Sequence, residues 1–226
     1  MPIIALDTPD NSARALAERF WSTLADWSVA ASDADKGSDM LPTIVAASVT
    51  MVAMVIREAT EADATACAEI YAPYVTDTVI SFETEPPNPD EMAERIAKAQ
   101  RAHAWLVLED DEGRVAGYAY GGSFSGRPSY RWSCEVSIYL ELGRRRTGGG
   151  RALYQALLDT LAARGFRNFC AGMVLPNDAS AGLHRALGFE PVGTYRRIGY
   201  KHGAWRDVAW VQLCLPEPDG VPVEPR

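Results

Sequence analysis

Cysteine and histidine are scarce in this chain, with four and three residues respectively among 226. The four cysteines, at Cys67, Cys134, Cys170 and Cys214, form no Cys-x-x-Cys pair and show no spacing typical of a metal site. We therefore predict no metal. We expect each cysteine to be a small buried hydrophobic residue in a protein of a reducing compartment.

Positive charge is also in short supply. The 22 Lys and Arg residues are outnumbered by 30 Asp and Glu residues, which gives a formal net charge of −8. Nucleic-acid phosphates require a basic face, so the charge argues against a nucleic-acid partner. The sequence also lacks any run of the roughly 20 apolar residues that a membrane span needs, so we predict no membrane partner.

The residues that are present predict one α/β domain with a mixed sheet. Hydrophobic periodicity from residue 54 onward gives the order β-α-α-β-β-β-α-β-α-β-β. Thr60 is the expected N-cap of the first helix, and Asn88, with Pro89 and Glu91, forms a predicted capping box for the second. We assign residues 54–216 to the domain and 217–226 to a C-terminal tail. Residues 1–53 are interpreted as an accessory or poorly ordered extension, with a partner-binding helix as the alternative.

A strand, a glycine-rich turn and a helix occupy the centre of this domain. Val136, Ile138 and Leu140 alternate with polar residues as in a strand, and three glycines, residues 148–150, precede a strong helical pattern. Backbone N–H groups at such a helix start are suited to binding a pyrophosphate. A simple turn is the alternative, because the turn lacks both the dinucleotide fingerprint and the Gly-Lys-Ser/Thr of a P-loop.

Two motifs resemble those of the GCN5-related N-acetyltransferases (GNAT). Arg145-x-x-Gly148-x-Gly150 resembles the Gln/Arg-x-x-Gly-x-Gly/Ala motif that holds the pyrophosphate of acetyl-CoA in that superfamily. The segment with Asn177-x-x-Ser180, His184 and Gly188-Phe189 resembles its Asn-x-x-Ala…Tyr…Gly-Phe pattern, with His184 at the usual Tyr position. The resemblance implies the GNAT fold, a mixed twisted central sheet flanked by helices.

Four further segments narrow the resemblance to the phosphinothricin/methionine-sulfone N-acetyltransferase family. They are Phe82-x-Thr84-Glu85-Pro86, Arg127-x-x-Tyr130-x-Trp132-x-x-Glu135, Leu175-Pro176-Asn177-Asp178 and Lys201-His202-Gly203-x-Trp205-x-Asp207-Val208. The likeness runs from about Ile56 to Leu215. It implies a cytoplasmic, homodimeric enzyme that transfers acetyl from acetyl-CoA to the α-amine of a small amino-acid-like acceptor.

Glu135 and His184 are the predicted catalytic residues. A carboxylate among apolar strand residues is costly unless it has a function or a partner. The resemblance implies that Glu135 is the general base, and an ion pair with Arg127 or Arg131 is the alternative. His184 is able to give or take a proton near neutral pH, either to protonate the CoA thiolate or to help deprotonate the amine. Its alternative role is simple packing.

The resemblance also implies the binding residues. The predicted acetyl-CoA contacts are the backbone of Ile138, Tyr139 and Leu140 for the pantetheine arm, the turn residues Arg145, Arg146, Thr147, Gly148, Gly149 and Gly150 for the pyrophosphate, and Asn177 as a helix cap or pantetheine ligand.

For the acceptor, Arg127 is the predicted carboxylate ligand, and Phe82 and Tyr130 are the predicted pocket walls. The alternatives are a solvated loop charge for Arg127 and core packing for the two aromatic residues. Ser125 stands where phosphinothricin-type enzymes often carry a second basic residue. We therefore expect a doubly anionic acceptor to bind less well than a neutral sulfone or sulfoximine.

Two other functions remain compatible with the sequence. One is a protein N-terminal acetyltransferase of the same superfamily, which would need an open peptide groove. The other is a non-catalytic acetyl-CoA-binding sensor. The segments around Phe82 and Arg127 favour a closed small-molecule pocket over the first alternative, and the presence of Glu135 and His184 speaks against the second.

Overall fold

The computed structural model describes residues 54–144, 148–216 and 220–226, and in these ranges the elements follow the predicted order. The predicted extension at residues 1–53 lies outside the described residues. The strands are β1 Val55–Glu58, β2 Trp105–Glu109, β3 Val115–Ser123, β4 Ser133–Leu140, β5 Asn168–Val174, β6 Glu190–Lys201 and β7 Ala204–Cys214. The helices are α1 Ala64–Thr76, α2 Pro89–Ala102, α3 Gly149–Ala163 and α4 Asp178–Ala186, with 3-10 turns at Glu61–Asp63 and Pro128–Tyr130.

The strands form one sheet in the order β1-β2-β3-β4-β5-β7-β6. Neighbouring strands are antiparallel except β4 and β5, which are parallel. The prediction of an α/β fold with a mixed sheet is confirmed.

The sheet opens between β4 and β5. These two strands pair only over Ser133–Glu135 and Asn168–Cys170. Beyond that point β4 continues to Leu140 and β5 to Val174 without pairing to each other. The divergence begins at Glu135 and leaves one edge of β4 uncovered within the sheet.

Helices cover both faces of the sheet and define two hydrophobic cores. On one face, Leu153, Leu157 and Leu161 of α3 pack with Val136 and Phe169. The second core lies under α1 and α2. It contains Val75, Met92 and Ile96 together with Val107 and Tyr118 of the sheet.

The helix starts follow local sequence signals. The Asn88 side chain accepts the Glu91 N–H at 2.9 Å, and the Glu91 carboxylate accepts the Asn88 N–H at 3.0 Å, which confirms the predicted capping box. Thr60 is the N-cap of the 3-10 turn Glu61–Asp63, as predicted for the start of this helical segment, and its N–H donates to Asp63 at 2.7 Å. The turn continues directly into α1, which begins at Ala64.

Two further observations concern the cysteines and the tail. Cys67, Cys134 and Cys170 are buried and all four thiols are free, but Cys214 is exposed at the end of β7, so the prediction that it is buried is wrong. In the tail, the Val223 carbonyl accepts the Trp132 indole N–H at 2.9 Å, and the Arg226 N–H donates to the Arg164 carbonyl at 2.9 Å. Among the described residues, no helix is long and apolar enough to cross a membrane.

Candidate active site

A cavity of about 250 Å³ lies where β4 and β5 diverge. Its walls are formed by the open part of β4, by Gly172 and Met173 of β5, and by Asn177, Ser180 and His184 of α4 and its N-cap. The cavity therefore lies against the uncovered strand edge.

The register of β4 determines which of its backbone groups face this cavity. The Glu141 N–H donates to the Ala116 carbonyl of β3 at 2.9 Å. Because backbone groups alternate in direction along an antiparallel strand, those of Tyr139 also point toward β3, and those of Val136, Ile138 and Leu140 point toward the cavity. Of the three predicted pantetheine contacts, Ile138 and Leu140 fit this geometry. The backbone of Tyr139 does not, because it is directed into the β3–β4 pairing.

The contacts of Tyr139 agree with that assignment. Its ring packs against Tyr71 and Tyr74 of α1, with ring centroids 4.8 and 5.1 Å away. The Leu140 carbonyl, on the other edge, accepts the Tyr74 hydroxyl at 2.6 Å. Tyr139 thus contributes its side chain to the core under α1.

The glycine-rich turn brings the start of α3 to the end of β4. Gly148 has a φ of +79°, a value that favours glycine, and α3 begins at Gly149. A Cβ on Gly150 would lie 2.8 Å from Leu140 Cδ1, so the missing side chain allows this close approach. The predicted pyrophosphate residues Arg145, Arg146 and Thr147 lie outside the described residues. The described part fits a phosphate group at a helix N-terminus.

Asn177 caps α4 on the opposite wall. Its side-chain oxygen accepts the Ser180 N–H at 3.1 Å. Asn177 also lines the cavity. Of its two predicted roles, the structure shows the helix cap.

Glu135 lies at the point where the two strands separate. It is half-buried, opposite Gly122 of β3 and Cys170 of β5. Burial raises the pKa of its carboxyl. Within the described part of the chain Glu135 forms no ion pair, and Arg131 pairs instead with Glu224. The structural ion pair considered as an alternative is therefore not observed.

His184 is buried between α3 and α4, with 3% of its surface exposed. Its Nδ1 lies 2.8 Å from the Ser180 carbonyl, which only accepts, so Nδ1 carries the proton. Its Nε2 lies 3.0 Å from the Tyr154 hydroxyl and accepts from it. Burial lowers the pKa of His184, which is consistent with this neutral form. Both ring nitrogens therefore have hydrogen-bond partners.

Tyr154 is a site residue that the sequence analysis missed. It is fully buried in α3, lines the cavity, and has its hydroxyl 3.3 Å from the Val136 carbonyl as well as next to His184. The helical periodicity of Leu153, Leu157, Leu158 and Leu161 already places position 154 on the apolar face. A phenol among those aliphatic residues is the signal that would have identified it.

The predicted acceptor residues lie at the surface. Phe82 and Tyr130 are 39% and 40% exposed, so they are not core residues. Phe82 packs against Gly199 of β6, where a Cβ would overlap its ring. Arg127 is exposed and forms no ion pair with any described residue.

Tyr130 is connected to the cavity through two other aromatic residues. Its ring lies 5.5 Å from that of Phe124, which lies 6.4 Å from Trp210. Trp210 in turn covers Gly172, one of the cavity residues. Tyr130 therefore belongs to an aromatic wall that reaches the opening between β4 and β5.

The loop that carries Phe82 is held by main-chain and side-chain bonds. The Lys201 ammonium donates to the carbonyls of Val75, Ser81 and Glu83 at 2.6, 2.7 and 3.0 Å. Desolvation lowers the pKa of Lys201. Glu83 also accepts both guanidinium nitrogens of Arg95, at 2.7 and 3.0 Å. These bonds fix the loop to α2 and to the β6–β7 hairpin.

The described residues contain no group of three or more His, Cys, Asp or Glu side chains that could hold a metal ion.

Comparison with known proteins identifies the class. The family described as "Acetyltransferase (GNAT) domain" matches residues 56–210. The chain therefore belongs to the GNAT acetyltransferases.

Individual relatives show which GNAT acetyltransferases this chain resembles. The chain is 42% identical to the phosphinothricin N-acetyltransferase of Streptomyces viridochromogenes over 172 residues, which cover 75% of this chain and 93% of the relative. It is 35% identical to the L-methionine sulfoximine/L-methionine sulfone acetyltransferase of Pseudomonas aeruginosa, over 71% of this chain and 94% of that protein. The crystal structure of a phosphinothricin acetyltransferase from Sinorhizobium meliloti in complex with acetyl-CoA superposes with a TM-score of 0.72 at 38% identity, over 76% of this chain and 94% of the other.

Proposed function

We propose that this protein transfers an acetyl group from acetyl-CoA to the α-amine of a small amino-acid-like acceptor of the phosphinothricin, methionine sulfone or methionine sulfoximine type. The observation that carries the proposal is Glu135. It is a desolvated carboxylate without an ion-pair partner among the described residues, and it lies where the open edge of β4 begins. The names of the similar enzymes support the acceptor class.

The open edge of β4 is suited to the pantetheine arm. The backbone groups of Val136, Ile138 and Leu140 face the cavity, so an extended chain is able to pair with them as an additional strand. One of the N–H groups at Ile138 or Leu140 would donate to the thioester carbonyl and stabilise the negative charge that develops there. Gly148, Gly149 and Gly150 would hold the pyrophosphate, together with the predicted contacts of Arg145, Arg146 and Thr147.

Glu135 acts as the base in this reaction. An acceptor ammonium first gives one proton to the carboxylate, directly or through water, and the neutral amine then attacks the thioester carbon. As the carbon–sulfur bond breaks, the nitrogen gives its second proton to the departing sulfur, directly or through water, and CoA leaves as the thiol. Glu135 then returns its proton to solvent. A raised pKa makes the carboxylate a stronger base than an exposed one.

His184 has a different part in our proposal. Its Nδ1 proton is bound to the Ser180 carbonyl and its Nε2 accepts from Tyr154, so the neutral ring has no proton directed at the cavity. We assign it the positioning of α4 against α3 beside the cavity. Its predicted role in proton transfer to the thiolate stays a prediction.

The acceptor would lie between the loop containing Phe82 and the segment Arg127–Tyr130. Arg127 is exposed and forms no ion pair with any described residue, so its guanidinium is available to bind the α-carboxylate of the acceptor. The rings of Phe82 and Tyr130 would exclude water from the two sides. These three contacts would direct the α-amine toward Glu135.

Release of the CoA thiol tests the proposal. The wild-type protein is assayed with acetyl-CoA and methionine sulfone, methionine sulfoximine, phosphinothricin, common amino acids and a short peptide with a free N-terminus. We expect turnover with the amino-acid analogues and a loss of roughly 10²–10⁴-fold in kcat with Glu135→Gln. Turnover with the peptide alone would instead establish protein N-terminal acetylation, and binding of acetyl-CoA without any turnover would favour a sensor.

We further propose that the protein is a homodimer located in the cytoplasm. Its acetyltransferase domain would span residues 54–216, between the extension at residues 1–53 and the tail at residues 217–226. The β6–β7 hairpin exposes more than half of the surface of Val192, Tyr195, Ile198, Tyr200 and Trp205, and β6 is an edge strand with one unpaired side. Such a surface is suited to a second copy of the chain. The free thiols are consistent with a reducing compartment. Light scattering of the purified protein, compared with Tyr200→Lys, tests the dimer.

A further inference from the structure

A second cavity, of about 540 Å³, lies between α2 and β3. Its volume falls within the range of about 300–1,000 Å³ that is common for small-molecule sites. It is lined by residues from four elements, among them Tyr71 of α1, Lys98 of α2, Trp105 of β2, and Tyr120 and Gly122 of β3. Neither the reaction chemistry nor the predicted site residues account for it.

This cavity opens on the same face of the sheet as Glu135. Gly122 is directly opposite Glu135 in the β3–β4 register, and Tyr120 is opposite Ser137. Residues directly opposite each other in an antiparallel pair project to the same face. The Glu135 side chain therefore lies next to the cavity, because its partner residue Gly122 on β3 is part of the cavity wall.

Gly122 leaves the space between them open. A Cβ at Gly122 would have no atom within 4 Å, and this position does not have a positive φ. By contrast, a Cβ at the neighbouring Gly121 would lie 3.0 Å from Leu161, on the opposite face. Position 122 therefore has open space for a side chain beside Glu135.

The cavity wall combines a flat aromatic surface with a positive charge at its rim. Trp105 and Tyr120 stack with centroids 4.5 Å apart. Lys98 is exposed at the rim and has no ion pair in the described ranges, whereas the other cation, Arg95, is bound to Glu83.

We propose that this cavity receives the side chain of the acceptor while its α-amine lies at Glu135 and its α-carboxylate at Arg127. The inference rests on the proposed function and adds the determinant of acceptor choice. The aromatic stack packs against the methylene groups of an unbranched side chain. The exposed Lys98 ammonium at the rim favours a terminal group with hydrogen-bond-accepting oxygens, such as a sulfone, a sulfoximine or a phosphinate.

Filling the gap tests the assignment. Gly122→Leu places a side chain where the acceptor would enter, and Gly182→Leu is the matched control, because position 182 is exposed on α4 and also has open space around its Cβ. We expect Gly122→Leu to lower kcat/KM for methionine sulfone by at least roughly tenfold, with the KM for acetyl-CoA unchanged. The loss is expected to shrink along the series methionine sulfone, S-methylcysteine sulfone and alanine.

A second pair of variants tests the rim without changing the backbone. Lys98→Met removes the charge at the cavity, and Arg101→Met removes a charge from the same helix outside it. We expect Lys98→Met to raise the KM for phosphinothricin by roughly tenfold, more than for methionine sulfone, because a charged hydrogen-bond donor is lost from an anionic group. Arg101→Met is expected to leave both values unchanged.

The outcomes separate the two proposals. Wild-type turnover of methionine sulfone that is equally efficient in folded Gly122→Leu and Lys98→Met would overturn the cavity assignment and leave the proposed function intact. A loss in Gly122→Leu that is the same for all acceptor lengths would also overturn it. No wild-type turnover of any amino-acid analogue would overturn both.

Discussion

Replacement of Tyr154 by Phe is expected to destabilise the protein, although the shape of the side chain hardly changes. Tyr154 is fully buried and its hydroxyl donates to His184 Nε2 at 3.0 Å. The substitution leaves that nitrogen buried without a donor, at a cost of about 1–3 kcal/mol in the free energy of unfolding. In a domain of this size each kcal/mol lowers Tm by roughly 2–4 °C, so a fall of roughly 2–12 °C is expected.

A double-mutant cycle measures the coupling directly. Tyr154→Phe, His184→Leu and the double variant are unfolded by heat and by urea, and their free energies of unfolding are compared with that of the wild type. Because the double variant leaves neither group unpaired, we expect it to be less destabilised than the sum of the single variants, by roughly 1–2 kcal/mol. Strict additivity, within about 0.5 kcal/mol, would refute the hydrogen bond as the source of the stability.

The same pair makes stability depend on pH in a defined direction. Burial holds the pKa of His184 below its ordinary 6.5. The unfolded chain therefore binds a proton in the interval between 6.5 and the lowered pKa, where the folded protein does not. The free energy of unfolding should fall as pH decreases through this interval, and His184→Leu should remove that contribution.

Three other predictions concern the base and the acceptor loop. The kcat/KM for an acceptor should fall at acidic pH, because the proposed base Glu135 must be deprotonated to act. The midpoint of this fall should lie above 4.5, the ordinary pKa of a glutamic acid, and the fall should be absent from the pH profile of Glu135→Gln. Gly199→Ala should displace the Phe82 ring and raise the KM for the acceptor but not for acetyl-CoA, and Phe82→Leu should reduce the defect. Lys201→Met should lower stability by about 1–2 kcal/mol in urea unfolding, since three carbonyls lose a charged donor that is partly exposed to water; an unchanged unfolding curve would contradict that role.

The features that depend on nearby residues were predictable from the sequence. Asn88, Pro89 and Glu91 lie within four positions, and their side chains satisfy the helix start without help from the rest of the fold. The strand pattern of β4 and the glycine turn are equally local, and the motifs around them were sufficient to indicate the family that the comparisons show.

The features that depend on register were not predictable. The direction of the Tyr139 backbone is fixed by which edge of β4 pairs with β3, and nothing in the local pattern distinguishes the two edges. Thr60 caps the helical segment as the sequence predicts, but the 3-10 geometry of its first turn, where Arg57 of β1 binds the Asp63 carboxylate, was not predicted. Cys214 is exposed because β7 ends there.

The second cavity was likewise not predictable from the sequence, because it depends on how distant elements pack together. Lys98, Trp105 and Gly122 belong to different elements and have no common sequence pattern. The absence of a side chain at Gly122 becomes informative only when Glu135 is known to lie opposite. In a strand, such a glycine is indistinguishable from one that merely weakens the sheet.

The anchor formed by Lys201 has a consequence for how acceptor preference evolves. Lys201 binds the loop through the carbonyls of Ser81 and Glu83 and binds the end of α1 through that of Val75, and every amino acid possesses such a carbonyl. A substitution at Phe82 therefore changes the surface at the proposed acceptor site while these three bonds remain possible. The position of the loop and the proposed acceptor selectivity thus depend on different groups, so a single replacement at position 82 is able to change the second without changing the first.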